Sequence, residues 1–167
     1  EVLFRLVKSA DVLIENFRPG VMNRLGVGYD VLKEINPRLV YCAISGFGQE
    51  GPMKFAPAYD QIVQGLSGVM SITGSEETAP LRVGYPVADT IGGITAAFAV
   101  SSALVRQART GEGEFIDVSM LDSTVVTMGW VVSNFLIAGK TPRPMGNENF
   151  TAAPSGAGWR ATSPGIT

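Results

Sequence analysis

The run Leu39-Val40-Tyr41-Cys42-Ala43-Ile44-Ser45 is almost unbroken in apolar, β-favouring side chains. A strand with one wet face would alternate polar and apolar residues. A strand that does not alternate must be covered on both faces, as in a parallel sheet flanked by helices. Its neighbours fit that reading. A shorter β-rich run, Asp11-Val12-Leu13-Ile14-Glu15-Asn16-Phe17, ends at the turn signal Arg18-Pro19-Gly20. Helices are expected over residues 21–25 and 29–35, the second closed by Asn36-Pro37, because Pro disfavours helical geometry in the residue before it. The alternation of strand and helix predicts an α/β layer architecture.

Gly46-Phe47-Gly48-Gln49-Glu50-Gly51-Pro52 follows the apolar run as a glycine-rich loop. It falls at the carboxyl end of the strand, the edge where open α/β sheets collect ligands. Further on, the pattern predicts a short helix over 59–67 and a turn-rich stretch through Pro86. A long helix over 87–108, a strand over 114–119 and a second long helix over 121–138 follow. Residues 90–105 and 123–139 carry no charge, yet each run is shorter than the ~18–20 residues of a bilayer span. Both are expected as buried helices beside the sheet, which makes Trp130 a core residue, while Cys42 reads as a small buried hydrophobe. Met120, at a strand–helix junction, reads as packing. No signal peptide is evident, and a cytoplasmic location is expected. The chain opens at Glu1 inside a helical pattern and reads as an internal piece of a longer protein.

The side-chain inventory narrows the chemistry. The 167 residues contain no His and one Cys, and carry a formal charge of −2. That excludes imidazole acid–base chemistry, His-activated nucleophiles, His or thiolate metal sites and an internal disulfide. A nucleic-acid or anionic-membrane footprint is not expected either. Carboxylates, hydroxyls, backbone amides, Lys and Arg remain.

Asp89 is the carboxylate with the most suggestive setting. Pro86 pre-sets a helix start, so Asp89 falls in the first turn, near unpaired N–H groups and the positive end of the helix dipole. Its default reading is an ordinary N-terminal helix cap; the alternative is an ionised nucleophile. Gly92 and Gly93 follow one turn on; a glycine pair inside a helix costs about 2 kcal/mol against alanines, so close approach by a ligand or another element is expected there. Asn16, Phe17, Arg18 and Arg24 offer an amide, an aromatic face and guanidinium groups suited to phosphates, or a plain turn with solvated arginines. Tyr59 and Asp60 stand at a helix start, where Asp60 as that helix's own cap is the default.

These segments resemble the family III CoA-transferases, the group of the formyl-CoA and carnitine CoA-transferases. The resembling stretches are ADVLIENFRPGVMNRLGVGYDVLKEINPRLVYCAISGFGQEGP, AYDQIVQGLSGVMSITG and PVADTIGGITAAFAVSSALVRQARTGEGEFIDVSMLD, with a weaker match at MGNENFTAAPSG. They cover residues 11 to about 156 in order; the tail beyond departs from the pattern. The resemblance implies an incomplete Rossmann-like large domain over 1–120, a helical linker over 121–145 and the start of a small domain over 146–167. It implies that Asp89 is the nucleophile, passing an acyl group through an aspartyl mixed anhydride and an aspartyl-CoA thioester. Asn16, Phe17, Arg18 and Arg24 would contact CoA, and Tyr59 and Asp60 would approach the thioester. A basic residue that some members carry two places before that Tyr is Pro57 here.

The partners implied are an acyl-CoA and a small carboxylic acid, with no metal or other cofactor and no membrane or nucleic acid. Two full-length chains would interlock as a dimer. The isolated 167 residues are expected to be inactive, which leaves a truncated CoA-binding segment as one alternative. The other is an α-methylacyl-CoA racemase, whose His-Asp pair is replaced here by Tyr59-Asp60.

Overall fold

A computed structural model of the chain describes residues 1–147. The expected start of a small domain, 146–167, falls outside the described residues from 148 onward, as does most of MGNENFTAAPSG. Eleven elements follow in the order α1 (Val2–Val7), β1 (Val12–Glu15), α2 (Val21–Arg24), α3 (Tyr29–Ile35), β2 (Val40–Ser45), α4 (Asp60–Ser67), α5 (Val69–Ile72), α6 (Val87–Thr110), β3 (Glu114–Ser119), α7 (Met120–Thr127) and α8 (Gly129–Ala138). Among the described residues the three strands form one sheet in the order β1-β2-β3. Both pairings are parallel, with Val40 opposite Val12 on one side and Glu114 on the other.

The central strand is β2, and the absence of alternation in its sequence now has its cause. Tyr41 and Ala43 point into a cluster with Val7, Leu32 and Leu39, covered by α1 and α3. Cys42 points the other way, into Ala96, Val100 and Val118, covered by α6. Each face therefore needs its own apolar set. Tyr29, Tyr41 and Phe115 add an aromatic cluster on the first face, with ring centroids 5.2–5.8 Å apart. Asn36 locks the outer helices: its Nδ2 donates to the carbonyls of Val7 and Ala10, both at 2.9 Å.

Helix α6 has 24 residues and buries Ala88, Gly92, Ala96, Val100, Ala103 and Gln107. Steps of three and four put these on one stripe, which lies on β2 and β3. By length and composition alone the helix could cross a membrane, so the expected shortfall in length does not hold. The buried stripe of small residues identifies it instead as the core helix of the sheet. At its carboxyl end Gln107 Nε2 donates to the carbonyl of Arg38, 2.6 Å away, anchoring it beside the start of β2.

The expected single helix over 121–138 is two helices. α7 and α8 meet at a 75° bend around Met128, whose φ of −94° and ψ of 22° leave the helical region. Met128 is buried, at 8% exposure, and anchors the corner. α7 packs against α4 and α6 and buries Met120, Ser123 and Thr124, whereas α8 buries none. Trp130, expected in the core, is 47% exposed. The expected turn-rich stretch before Pro86 also contains the short helix α5.

Candidate active site

The parallel register places the carboxyl ends of all three strands at one edge of the sheet. At the end of β1, Asn16 does structural work: its Nδ2 donates to the carbonyl of Ile44 at 2.7 Å, tying this edge of β1 to the end of β2. Phe17 follows, 54% exposed, with its N–H donating to Glu15 Oε2 at 2.6 Å. Arg18 and Arg24 are exposed on the turn and on α2. All four residues therefore share one corner. Two polar atoms near this edge, Ser45 Oγ and Gln49 Nε2, are buried without a hydrogen-bond partner. Such groups are normally paired, so both are exceptions at this edge.

α6 runs back from the same edge. Its second turn meets the end of β3: a Cβ placed on Gly92 would stand 3.1 Å from Met120 Cγ. Asp89 lies one turn earlier, exposed, in the first turn of the helix. The expected close approach is thus real but divided. Gly92 admits Met120, which is packing as expected, while nothing lies within 4 Å of a Cβ on Gly93.

The cap is not where the sequence suggested. The cap residues themselves, Pro86 for α6 and Tyr59 for α4, make no side-chain cap hydrogen bond. Asp60, read as a cap for its own helix, caps α6 instead. Its Oδ1 accepts from the N–H of Ala88 at 2.8 Å and, more weakly, from that of Asp89 at 3.4 Å. The Asp60 side chain is buried, at 5% exposure. Beside it, Tyr59 is 68% exposed. Val87 N–H donates to the carbonyl of Tyr85 and Thr90 N–H to that of Pro86. Every N–H of the first turn is therefore taken.

That arrangement reverses an electrostatic expectation. A free helix N-terminus would favour the Asp89 carboxylate ion. Here desolvation by burial, and then the Asp60 carboxylate, push the Asp89 proton affinity above the ordinary carboxylate range. Gln64, not singled out from the sequence, is fully buried and donates from Nε2 to Asp60 Oδ2 at 2.6 Å. Its only sequence signal is the four-residue spacing from Asp60, which puts both on one helix face.

A cavity of about 430 Å³ opens on the opposite, aromatic face, between Glu15, Tyr29, Tyr41, Lys54 and Phe115. None of Asn16, Phe17, Arg18, Arg24, Tyr59, Asp60 and Asp89 lines it. No cluster of three or more His, Cys, Asp or Glu suited to a metal occurs among the described residues.

A three-stranded parallel sheet covered by helices on both faces defines an α/β layered fold. The chain belongs to the CoA-transferase family III, which it matches over residues 1–160. It is 46% identical over 154 residues to an acetyl-CoA:oxalate CoA-transferase of Acetobacter aceti, covering 92% of this chain and 40% of that protein. A succinate–glutarate CoA-transferase of Agrobacterium fabrum is 43% identical over 150 residues, covering 90% of this chain and 38% of that protein. Among solved structures, a CAIB/BAIF family protein from Brucella suis superposes with a TM-score of 0.86 at 40% identity, covering 92% of this chain and 40% of that one. The chain thus spans about 40% of the length of these relatives.

Proposed function

We propose that this chain forms the nucleophile-bearing part of an acyl-CoA:carboxylate CoA-transferase, with Asp89 as the catalytic residue. The observation that carries the reading is an exposed carboxylate in the first turn of α6, held at the ligand-collecting edge of a parallel sheet. Its raised proton affinity makes the ionised form a better nucleophile, as covalent catalysis requires.

The chemistry balances without a redox partner. The Asp89 carboxylate attacks the thioester carbonyl of the donor; the C–S bond breaks, giving a mixed anhydride and CoA thiolate. The thiolate attacks the aspartyl carbonyl, releasing the donor acid and leaving an aspartyl-CoA thioester. An acceptor carboxylate attacks that thioester, expelling CoA thiolate and forming a second anhydride. The thiolate then takes the acceptor acyl group, and Asp89 leaves as a carboxylate. Arg18 and Arg24 would hold phosphates of CoA, Phe17 would lie against its adenine or pantetheine, and Asn16 would fix the turn that carries them. Tyr59 would flank the thioester end. Donor and acceptor would be small acids of the kind named for the relatives, and the working form would be a homodimer.

The test uses the full-length polypeptide that carries this segment. Asp89→Asn should abolish CoA transfer with the fold retained by circular dichroism, and hydroxylamine added during turnover should leave a hydroxamate at Asp89 by mass spectrometry. Undiminished transfer by Asp89→Asn, an adduct at Glu15 or Asp60, or exchange of the α-proton in labelled water without CoA transfer would each overturn the reading.

A further inference from the structure

We infer that Gln64 is a positioning residue for the Asp89 reaction, acting through Asp60 on the first turn of α6. The inference rests on the reading of Asp89 as nucleophile and extends it to a residue that touches neither substrate nor reacting atoms. Gln64 sits inside α4, has no exposed surface, and its amide bonds entirely outside its own backbone ladder. Oε1 accepts from the N–H of Val83 at 2.8 Å. Nε2 donates to Asp60 Oδ2 at 2.6 Å and reaches the carbonyl of Tyr85 at 3.4 Å. Asp60 passes the constraint on, accepting from Ala88 N–H with its other oxygen. One buried amide therefore grips the chain at 83 and 85, and through one carboxylate at 88: both sides of the turn that delivers Asp89.

The orientation of that amide is fixed by its surroundings. Rotated by 180°, its oxygen would face Asp60 Oδ2 and the Tyr85 carbonyl, and its NH₂ would face the Val83 N–H. Each contact would then pair like with like, so only one assignment satisfies the network. A buried network with every member paired rigidifies what it joins, and one mismatched member is costly. Segment 83–86 contains no helix or strand, so Gln64 supplies the side-chain link between that segment and α4. Reacting groups placed about 1 Å out of position lose about 100-fold in rate, which makes the placement of this turn a kinetic matter as well as a structural one.

The same logic yields a reciprocal test. Gln64→Glu puts two carboxyl groups against each other, and Asp60→Asn puts two NH₂ groups against each other, so each single variant is mismatched. The double variant Asp60→Asn/Gln64→Glu restores a donor–acceptor pair, with Asn Nδ2 donating to Glu, and leaves Asn Oδ1 to accept from Ala88 N–H. In the full-length polypeptide each single variant should lower kcat by about tenfold or more, with KM for the acyl-CoA within about twofold, because the proposed phosphate contacts, Arg18 and Arg24, lie outside this network. The double variant should recover at least half of that loss on a logarithmic scale, a coupling that independent sites do not show. Hydroxamate yield at Asp89 should follow kcat across the set.

Folded variants with unchanged kcat, a loss confined to KM, or a double variant no better than the product of the singles would overturn the inference. So would a loss that vanishes once rates are corrected for the fraction folded by thermal melting, since that marks a merely structural role. Asp89→Asn, run alongside, separates the two readings. If it stays active, the nucleophile assignment falls; if it is dead while the Gln64 variants run at full rate, only the positioning role falls.

Discussion

Gly92 and Gly93 are adjacent and chemically identical, yet alanine should shift stability in opposite directions at the two sites. In a helix interior Gly→Ala gains about 1 kcal/mol from the smaller loss of backbone freedom. At Gly93 a new Cβ meets nothing within 4 Å, so the whole gain is expressed. At Gly92 the Cβ would lie 3.1 Å from Met120 Cγ, with Met120 Cβ at 3.9 Å and Cα at 4.0 Å. Ordinary contact begins a few tenths of an ångström further out, and Met120 is 7% exposed at the head of α7. Its flexible thioether absorbs part of the shift, but its backbone is pinned by Leu121 N–H donating to the carbonyl of Gly46 at 3.0 Å. Overpacking costs about 1–3 kcal/mol, which leaves Gly92→Ala destabilised by about 1 kcal/mol net of the propensity gain. With an m-value of about 2 kcal/mol/M in urea, the two midpoints should differ by about 1 M and lie on opposite sides of the parent. Adding Met120→Ala to Gly92→Ala should cost less than the sum of the two single changes. If both alanines raise the midpoint equally, the Met120 contact does not constrain this helix and the explanation for Gly92 fails.

Three further outcomes follow from the site. Burial and the Asp60 charge raise the proton affinity of Asp89; with Asp89 as the proposed nucleophile, reacting in its ionised form, activity should fall with acidification at a pH above the ordinary carboxylate value of about 4. A pH–rate profile whose acid limb sits at or below that value would contradict the geometry. Cys42 is fully buried, and burial, with the charges of Glu15 and Asp117 behind it, pushes its thiol pKa up to about 11. It should ignore a thiol reagent at pH 8 until the protein is unfolded; equal labelling rates in native and denatured protein would refute that. Arg18→Ala and Arg24→Ala should each raise KM for acyl-CoA by about 5-fold or more, as expected for a lost charge-assisted contact. An acyl-pantetheine thioester, which carries no adenosine phosphates, should react equally well with parent and variants, and a matching loss on that substrate would remove the phosphate role.

What was legible in the sequence follows the range over which each signal acts. The β2 run announced a doubly covered strand because both faces leave their mark on the same six residues. The first-turn position of Asp89 was readable from Pro86, three residues away. The capping of α6 by Asp60 was not, because it joins residues 28 positions apart, and local rules assign an Asp at a helix start to its own helix. The bend between α7 and α8 was hidden for a similar reason. An apolar stretch with a single glycine is compatible with one straight helix, and the corner is set by burial of Met128. Trp130 was misplaced because an apolar helix reads as buried all round, whereas α8 buries none of its residues. Gln64 looked like any polar helix residue, since two of its three partners, Val83 and Tyr85, lie about 20 positions away in a segment with no helix or strand.

The saturation of the first turn of α6 has a consequence for the proposed acyl transfer at Asp89. Each attack on a carbonyl places negative charge on its oxygen for an instant, and that oxyanion needs hydrogen-bond donors already aimed at it. The amides of Val87, Ala88, Asp89 and Thr90 are all committed elsewhere. On the proposed reading of Asp89 as nucleophile, the first turn of α6 has no free amide left for the tetrahedral intermediate, and donors from another stretch of the full-length polypeptide are expected to serve it.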